Sequence, residues 1–359
     1  MKFLVLPHLS SERKPPTVRL AEQVDNAVLA ERLGFDGYGI GERHERPFEE
    51  SAPPVILANI AARTSTIRLF TTVATLSLLD PVRAFEDYST LDHLSGGRLE
   101  LIIGKGNGPK SAAMFGVTKD DQRERHRENY ELFRRLWQED SVTWQGRHRP
   151  PLTGAEVRPR PMRPLRIWHG SATSKESVEL AARHGDPLFS SNGGGPIEPY
   201  AELIRHYREQ WALHGHDPAD ALVGAGTAGY YGHRDSRTAI ERYRPIFEER
   251  LAVNNRYGHY LTFTSLEDFV ERSSALVGSP QQIIEKVHRY HERFGHEVLH
   301  IHVDGDLLSP REYLETLELF QSEIAPVLRK ELPSRPLADP SIPPWPETFF
   351  SSLTRGSRA

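Results

Sequence analysis

The feature that most constrains this chain is an alternation between short apolar segments and longer segments with helical spacing, from Met1 to Lys330. Such alternation predicts repeated strand–helix–strand units, which build a parallel sheet. We count eight strands that run in one direction, each followed by at least one helix. The predicted strands span residues 3–7, 35–40, 67–74, 98–103, 165–169, 187–191, 221–230 and 297–303.

Glycine and proline residues mark the boundaries of the predicted helices. Gly34 follows the first helical segment, as glycine often follows a helix, and Pro81 opens the third, at a position that tolerates proline. Residues 140–164 and 255–277 interrupt the alternation and are predicted insertions. The predicted helices span residues 17–33, 55–63, 81–93, 120–139, 174–184, 199–214, 236–254, 280–294 and 310–330.

The number of units favours one closed barrel. Eight strand–helix units without the glycine fingerprint of a dinucleotide-binding sheet are typical of a (β/α)8 TIM-type barrel, here with insertions. The chain has 359 residues, a length that such barrels routinely reach as one domain. We therefore predict a single barrel domain over residues 1–330. The proline-rich residues 331–359 are predicted to form a C-terminal tail that extends along the surface.

Composition excludes several classes of site. The chain contains no cysteine, which excludes disulfides, thiolate catalysis and cysteine-dependent metal sites. The formal net charge of -4 gives no general attraction to nucleic acid, and no spacing of histidines and carboxylates predicts a metal site. No apolar run approaches the roughly 20 residues that span a bilayer, and no signal-peptide cleavage site is visible. These features predict a cytoplasmic protein outside the membrane.

The candidate catalytic residues follow the second strand. In a barrel of this type the active site forms where the carboxyl ends of the strands meet their loops. Glu42, Arg43 and His44 occupy that position after the second strand. Histidine exchanges protons near neutral pH, and an adjacent carboxylate can fix its tautomer. The alternative interpretation is a solvated loop with an ordinary ion pair.

The segments after the fourth and fifth strands contain residues that favour the binding of an anion. The fourth strand leads into the glycine-rich loop 104–108, where Lys105 supplies a cation and Asn107 a donor. The fifth strand leads into a hydroxyl-rich helix start, whose free amides and dipole favour a phosphate. Because these two strands are neighbours in a barrel, we expect them to hold one phosphate together, with simple helix capping as the alternative. The residues at the helix start are Gly170, Ser171, Thr173, Ser174 and Ser177.

The end of the third strand is built from small side chains. Residues 71–75 read Thr-Thr-Val-Ala-Thr, which places hydroxyls and small groups near the barrel centre. Small side chains there allow a planar ring to approach the backbone. The alternative interpretation is a strand rich in β-branched residues that packs its threonine methyl groups.

Four segments together resemble the bacterial luciferase-like flavin monooxygenases, over most of the chain up to Lys330. Residues 34–44, GFDGYGIGERH, are similar to the family's second-strand motif, which ends in Glu-His-His or Glu-Arg-His. Residues 80–108, DPVRAFEDYSTLDHLSGGRLELIIGKGNG, resemble its most specific signature. Residues 174–185 resemble its phosphate-side helix, and residues 278–280, GSP, resemble the turn before its last helix–strand unit.

This resemblance implies a TIM-type barrel that binds FMN, often as a homodimer. It implies that reduced FMN comes from a separate reductase and reacts with molecular oxygen to form a flavin peroxide. That species would then oxygenate a small organic substrate.

The resemblance also implies roles by position. Lys105 stands where relatives often have an arginine at the phosphate, and Thr72-Val73 falls where luciferases have a non-prolyl cis peptide bond beneath the flavin ring. Asn192, just after the sixth strand, is a candidate contact to the ring edge. The hydroxyls of the phosphate cap are matched by Thr173, Ser174 and Ser177.

The chain departs from the luciferases at two positions. Their pair of histidines is Arg43-His44 here, and the position of their reactive cysteine is Gly104. Both departures argue against light emission. Because it shares the barrel and the phosphate region, a deazaflavin-dependent hydride-transfer enzyme on the same fold stays open as an alternative. The two departures also leave open a barrel that binds flavin without catalysis.

Overall fold

The computed structural model describes residues 1–7, 14–45, 48–106, 108–257, 262–303 and 307–337. Within these residues, eight parallel strands pair in chain order, and the last strand pairs with the first, which closes the sheet into a barrel. The predicted (β/α)8 TIM-type barrel is therefore confirmed. The strands are β1 (Lys2–Pro7), β2 (Gly37–Ile40), β3 (Arg68–Thr71), β4 (Leu99–Gly104), β5 (Ile167–Ser171), β6 (Leu188–Ser190), β7 (Val223–Ala225) and β8 (Val298–Val303).

The helices begin and end close to the residues that the sequence signals indicate. Gly34 closes the first helix in the left-handed conformation, with φ at 84°. The side chain of Asp80 caps the third helix by accepting hydrogen bonds from two backbone amides. The α-helices span Pro16–Leu33, Pro53–Arg63, Pro81–Leu94, Pro109–Met114, Gln122–Gln138, Lys175–His184, Ile197–Leu213, Ser236–Tyr257, Leu266–Arg272, Pro280–Phe294, Pro310–Leu319 and Ala325–Glu331.

Three predicted elements are interrupted in the structure. The strand expected over residues 67–74 ends at Thr71, and Ala74–Thr75 pairs separately with the end of β4. The strand expected over residues 221–230 is divided, because Gly226 turns its amide to the side chain of Asn192 and the chain leaves the barrel there. Its second part, Tyr230–Gly232, pairs with Leu276–Gly278 in a separate two-stranded sheet. The helix expected over residues 310–330 is interrupted by a π-helical turn at Phe320–Ile324.

The insertion at residues 140–164 contains a small antiparallel ribbon, in which Val142–Trp144 pairs with Leu152–Ala155. The insertion after residue 255 contains the helix Leu266–Arg272, which packs in a separate apolar cluster outside the barrel. No helix in the described ranges is both long and apolar enough to cross a membrane.

Large apolar side chains fill the inside of the barrel below its carboxyl end. The first residues of the expected tail take part, because Leu337 is buried in this cluster and its carbonyl oxygen accepts a hydrogen bond from Arg166. The tail therefore turns under the barrel at this point, while the division into barrel domain and tail stays a prediction. The cluster consists of Leu4, Phe70, Ile102, Trp168, Phe189, Leu222, Val298 and Leu337.

A buried lysine in the helix Pro280–Phe294 predicts a dependence of stability on pH. Lys286 is buried, and its ammonium group donates a hydrogen bond to the carbonyl oxygen of Val270. Burial lowers the pKa of Lys286 from 10.5 to about 7, and Arg289 adds to this effect. Between these two values the unfolded chain binds more protons than the folded one, so Lys286 makes stability rise with pH across this window.

We expect Lys286→Met to flatten this rise, because methionine carries no proton in either state. Urea denaturation at about pH 7 and about pH 10 would measure the slope. Lys330→Met, which removes an exposed lysine, is the control and should keep the slope of the unmodified chain. An unchanged slope in Lys286→Met would assign the pH dependence to other groups.

Candidate active site

The floor of the barrel mouth is formed by Thr72 and Val73, directly after β3. The peptide bond between them is cis, as the family resemblance predicts. Val73 lies against two glycines at the ends of β4 and β5. A Cβ atom on Gly104 would come within 2.7 Å of Val73 Cγ2, and one on Gly170 within 2.7 Å of Val73 Cγ1. These glycines therefore provide the space that Val73 occupies.

We expect Gly104→Ala to lower the free energy of unfolding by about 1–3 kcal/mol, because the added methyl group overlaps the Val73 side chain. Combining it with Val73→Ala removes the overlapping atoms and should restore much of the loss. Urea denaturation of both single variants and the double variant measures the coupling between the two sites. If the stability loss of the double variant equalled the sum of the losses of the two single variants, the two residues would not compete for space.

Glu42 and His44 form a hydrogen-bonded pair at the rim. The Glu42 side chain is only 2% exposed, and its Oε1 lies 2.9 Å from His44 Nε2. The other carboxylate oxygen, Oε2, accepts a hydrogen bond of 3.0 Å from the backbone amide of Thr75. The His44 ring packs edge-on against Phe115, with 4.6 Å between the ring centroids. Glu42 is thus held from two sides and orients His44, which differs from an ordinary solvated ion pair.

Arg43 lies apart from this pair. Its guanidinium carbon is 4.6 Å from the centroid of the Phe48 ring, a cation–π contact. Burial lowers the pKa of Arg43, while the carboxylates of Glu50 and Glu45 oppose this effect. Among the described residues, no hydrogen bond joins the Arg43 guanidinium to Glu42 or His44. The structure therefore brings together two of the three predicted catalytic residues.

The predicted phosphate cap is a network of serines at the start of the helix Lys175–His184. Ser174 is the N-cap residue, and its Oγ accepts a hydrogen bond of 3.2 Å from the amide of Ser177. Ser177 Oγ lies 3.1 Å from the same oxygen. Ser171 Oγ accepts from the Ser174 amide and donates to the Ser174 carbonyl oxygen. Thr173 is exposed beside them, so the hydroxyls of this segment surround one helix end.

Lys105 lies within electrostatic range of this helix end. Its Nζ donates a hydrogen bond of 3.1 Å to the carbonyl oxygen of Gly106. Burial lowers the pKa of Lys105 and Arg123 lowers it further, while the Glu176 carboxylate opposes both effects. The structure thus supports the expected proximity of the fourth and fifth strand ends.

Arg123 is a cation near this helix end that the sequence analysis does not identify. Its Nη1 lies 2.8 Å from Glu176 Oε1, and Ser174 Oγ donates a hydrogen bond of 2.9 Å to Glu176 Oε2. A carboxylate of the chain itself is therefore held between a guanidinium group and the N-cap hydroxyl. Arg123 belongs to a strongly charged helix, whose pattern indicates only a solvated face.

Asn192 is fully buried between the ends of β6 and β7. Its Nδ2 donates a hydrogen bond of 2.9 Å to the carbonyl oxygen of Gly226, and its Oδ1 accepts one of 2.6 Å from the Gly226 amide. Both ends of its amide are used within the protein, and its predicted contact to a flavin ring stays a prediction. The predicted site residue Asn107 lies outside the described residues. Within the described ranges, no group of three or more potential ligands could hold a metal ion.

The fold is a closed eight-stranded (β/α)8 barrel, and the carboxylate–histidine pair lies at its carboxyl end, where the active sites of enzymes with this fold are found. The luciferase-like monooxygenase family matches residues 1–297. The chain therefore belongs to this family, which confirms the resemblance seen in its motifs and makes the protein an oxidoreductase.

Some relatives are named as monooxygenases and others as F420-dependent dehydrogenases. The 4-hydroxyprotoasukamycin monooxygenase of Streptomyces nodosus subsp. asukaensis is 26% identical over 296 residues, 78% of this chain and 79% of that enzyme. The F420-dependent glucose-6-phosphate dehydrogenase of Kineococcus radiotolerans is 34% identical over 188 residues, 50% of this chain and 55% of that enzyme. Relatives above 30% identity are thus matched over about half of their own length.

A solved structure shows the same fold over nearly the whole chain. The oxygenating constituent of 3,6-diketocamphane monooxygenase from Pseudomonas putida, a type II Baeyer–Villiger monooxygenase in complex with FMN, has a TM-score of 0.78. It is 20% identical, and the match covers 91% of this chain and 98% of that one.

Proposed function

We propose that this chain is an FMN-dependent monooxygenase that uses reduced FMN and molecular oxygen to oxygenate a small organic substrate. The observation that supports this most directly is the arrangement at one face of the barrel. A floor of small residues at Thr72 and Val73 lies beside a helix end with serine hydroxyls and cations. FMN has a flat ring joined to a phosphate by a ribityl chain. The ring would match the floor, and the phosphate would match the helix end.

The residues at the helix end would bind the phosphate. The Ser174 hydroxyl, which donates to the Glu176 carboxylate in the structure, would donate to the phosphate instead, and Lys105 and Arg123 would supply positive charge. Arg123 would exchange the Glu176 carboxylate for the phosphate. Bound reduced FMN supplies the electrons with which oxygen is activated.

Glu42 and His44, the hydrogen-bonded pair at the rim, would act in proton transfer. Glu42 holds Nε2 of His44, which leaves Nδ1 as the atom that exchanges a proton with the substrate. The amide of Thr75 and the burial of Glu42 keep the carboxylate in place. The edge-on contact with Phe115 would help to hold the His44 ring in this orientation.

The family resemblance further supports a separate flavin reductase and a homodimer as partners. The exposed apolar residues Val55 and Leu94 belong to the neighbouring helices Pro53–Arg63 and Pro81–Leu94, and they favour this face for the contact between two copies. Sedimentation of the purified protein measures its mass in solution.

A second candidate function is hydride transfer with the deazaflavin F420. The 34% identity to an F420-dependent dehydrogenase supports it, over half of this chain. F420 also carries a flat ring and a phosphate, so the floor and the helix end suit both cofactors.

Anaerobic titration with reduced FMN and, separately, with reduced F420 distinguishes the two candidates, followed by mixing with oxygen. Preferential binding of FMN, and oxidation by oxygen at a rate different from that of free reduced FMN, would support the monooxygenase. Preferential binding of F420, with bound reduced F420 that oxygen does not oxidise, would support hydride transfer. Binding of neither cofactor would overturn both proposals.

A further inference from the structure

The carboxylate of Glu176 lies on the groups that would bind the flavin phosphate. Its Oε1 is 2.8 Å from Arg123 Nη1, and its Oε2 accepts a hydrogen bond of 2.9 Å from the hydroxyl of Ser174. Ser174 caps the helix Lys175–His184, and Arg123 belongs to the helix Gln122–Gln138. The carboxylate therefore occupies the point at which the serine cap and a cation from a second helix meet.

The surroundings of Glu176 hold its carboxylate as an anion. Its pKa is lowered mainly by a hydrogen bond from its own backbone amide, which lies in the first turn of the helix, and then by the Ser174 hydroxyl. The positive charges of Arg123 and Lys105 lower this pKa further. In return, the carboxylate raises the pKa of Lys105, against the effect of burial. One amide, one hydroxyl and two cations thus stabilise the carboxylate, and a phosphate monoester would use the same four groups.

Glu176 can leave this position without unfolding any part of the chain. Its side chain is 61% exposed, and that of Arg123 is 64% exposed. Ion pairs at such exposure contribute little to the stability of a fold. A rotation of the Glu176 side chain into solvent would release the Ser174 hydroxyl and the Arg123 guanidinium together.

We propose that Glu176 is an internal competitor of the flavin phosphate, which keeps the binding of FMN weak by occupying the Ser174 hydroxyl and the Arg123 guanidinium. This inference rests on the proposed function, since it requires that the cap binds the phosphate of a flavin. When FMN binds, the carboxylate loses both partners, and its charge remains near the negative charge of the phosphate. Both effects oppose binding, so the chain holds FMN less tightly than the same cap would without Glu176.

Weak binding suits a flavin that is exchanged in each reaction cycle. Reduced FMN that comes from a separate reductase has to enter the mouth, and oxidised FMN has to leave it before the next cycle. A carboxylate that returns to the cap as the phosphate departs favours this release. Riboflavin carries no phosphate, so its binding leaves Glu176 in place.

The alternative role for Glu176 predicts a change of the opposite sign. If its carboxylate holds Arg123 in place for the phosphate, removing the carboxylate would weaken the binding of FMN. If the carboxylate competes with the phosphate, removing it strengthens the binding. The sign of the change in affinity therefore separates competition from support.

The next turn of the same helix offers a matched control. Glu179 lies three residues after Glu176, and its Oε1 is 2.9 Å from Nε2 of His206 on the helix Ile197–Leu213. The carboxylate of Glu179 is thus directed to a different helix from that of Arg123. Glu179→Gln therefore reports the general effect of removing one negative charge from the helix Lys175–His184.

The experiment compares Glu176→Gln, Glu176→Ala and Glu179→Gln for binding of oxidised FMN and of riboflavin, by quenching of flavin fluorescence at low ionic strength. For both Glu176 variants we expect the Kd of FMN to fall by about three- to tenfold, with the Kd of riboflavin unchanged. Glu176→Gln keeps the size of the side chain, which covers the case in which Glu176→Ala does not fold. Glu179→Gln should match the unmodified chain for both flavins, and added salt should reduce the gain in affinity for FMN.

A second measurement tests the shared partner. In a chain that carries Arg123→Met, Glu176→Gln should increase the affinity for FMN by less than it does in the unmodified chain, because one of the two contested groups is absent. An equal gain in both backgrounds would contradict the competition for Arg123.

An unchanged or higher Kd of FMN in both Glu176 variants would overturn the inference while leaving FMN binding by the unmodified chain intact. A gain of equal size for riboflavin, or in Glu179→Gln, would also overturn it, because the effect would then not act through the phosphate at the cap. If neither the unmodified chain nor any variant binds a flavin, the proposed function fails first, and the inference falls with it.

Discussion

Replacing Glu100 by alanine is expected to lower the free energy of unfolding by about 3–5 kcal/mol, the loss that follows when one partner of a buried ion pair is removed. Glu100 is the second residue of β4 and has a fully buried side chain. Its Oε1 accepts hydrogen bonds from Arg68 at 2.7 Å and from Arg166 at 3.1 Å. Its Oε2 accepts one from the indole nitrogen of Trp168 at 2.9 Å.

The reason for this large effect is the charge that remains. Burial lowers the pKa of Arg68, and the carboxylate of Glu100 is the main group that opposes this. Without the carboxylate, a buried guanidinium has no anion beside it and the Trp168 indole loses its acceptor. Glu100→Gln keeps an acceptor of nearly the same shape, so we expect it to lose less stability than Glu100→Ala.

Urea denaturation followed by tryptophan fluorescence measures both variants. Glu86→Ala is the control, because Glu86 pairs with the exposed Arg83 on the surface and should change stability by less than about 1 kcal/mol. If Glu100→Ala were as stable as Glu86→Ala, the charges at the base of the barrel would contribute little to the fold.

The alternation of strands and helices was enough to predict the barrel, because each strand and each helix has its own apolar spacing. The division of one predicted strand has a local cause that apolar spacing does not show. The strand expected over residues 221–230 is divided because Gly226 forms hydrogen bonds with Asn192, a residue of another strand end. The side-chain contacts of Glu100 were likewise invisible, although a carboxylate in a strand otherwise buried and apolar is the signal that could have revealed them.

The candidate site was predictable where its residues follow strand ends. Glu42 and His44, separated in sequence by one residue, proved to be hydrogen-bonded, and the serines of the cap were recognisable from their position before a helix. Arg123 was not predictable in the same way, because it reaches the cap from a different helix.

Lys105→Met is expected to weaken the binding of FMN by roughly 10- to 100-fold and to leave the binding of riboflavin nearly unchanged. A hydrogen bond to a charged group contributes about 1.5–3 kcal/mol, which corresponds to this range of affinity. Riboflavin carries the same ring and ribityl chain without the phosphate, so it isolates the contribution of Lys105 to the anion. Fluorescence quenching of each flavin measures both constants, and added salt should reduce the difference between them.

The surroundings of Lys105 favour an anion beside its ammonium group. Burial and Arg123 both lower its pKa, so an arriving phosphate stabilises a charge that the folded chain holds at a cost. Lys330→Met removes an exposed lysine from the last helix and should leave both affinities unchanged. If Lys105→Met weakened FMN and riboflavin equally, Lys105 would support the glycine-rich loop and not the phosphate. The anion site would then have to be formed by Arg123 and the serine cap alone.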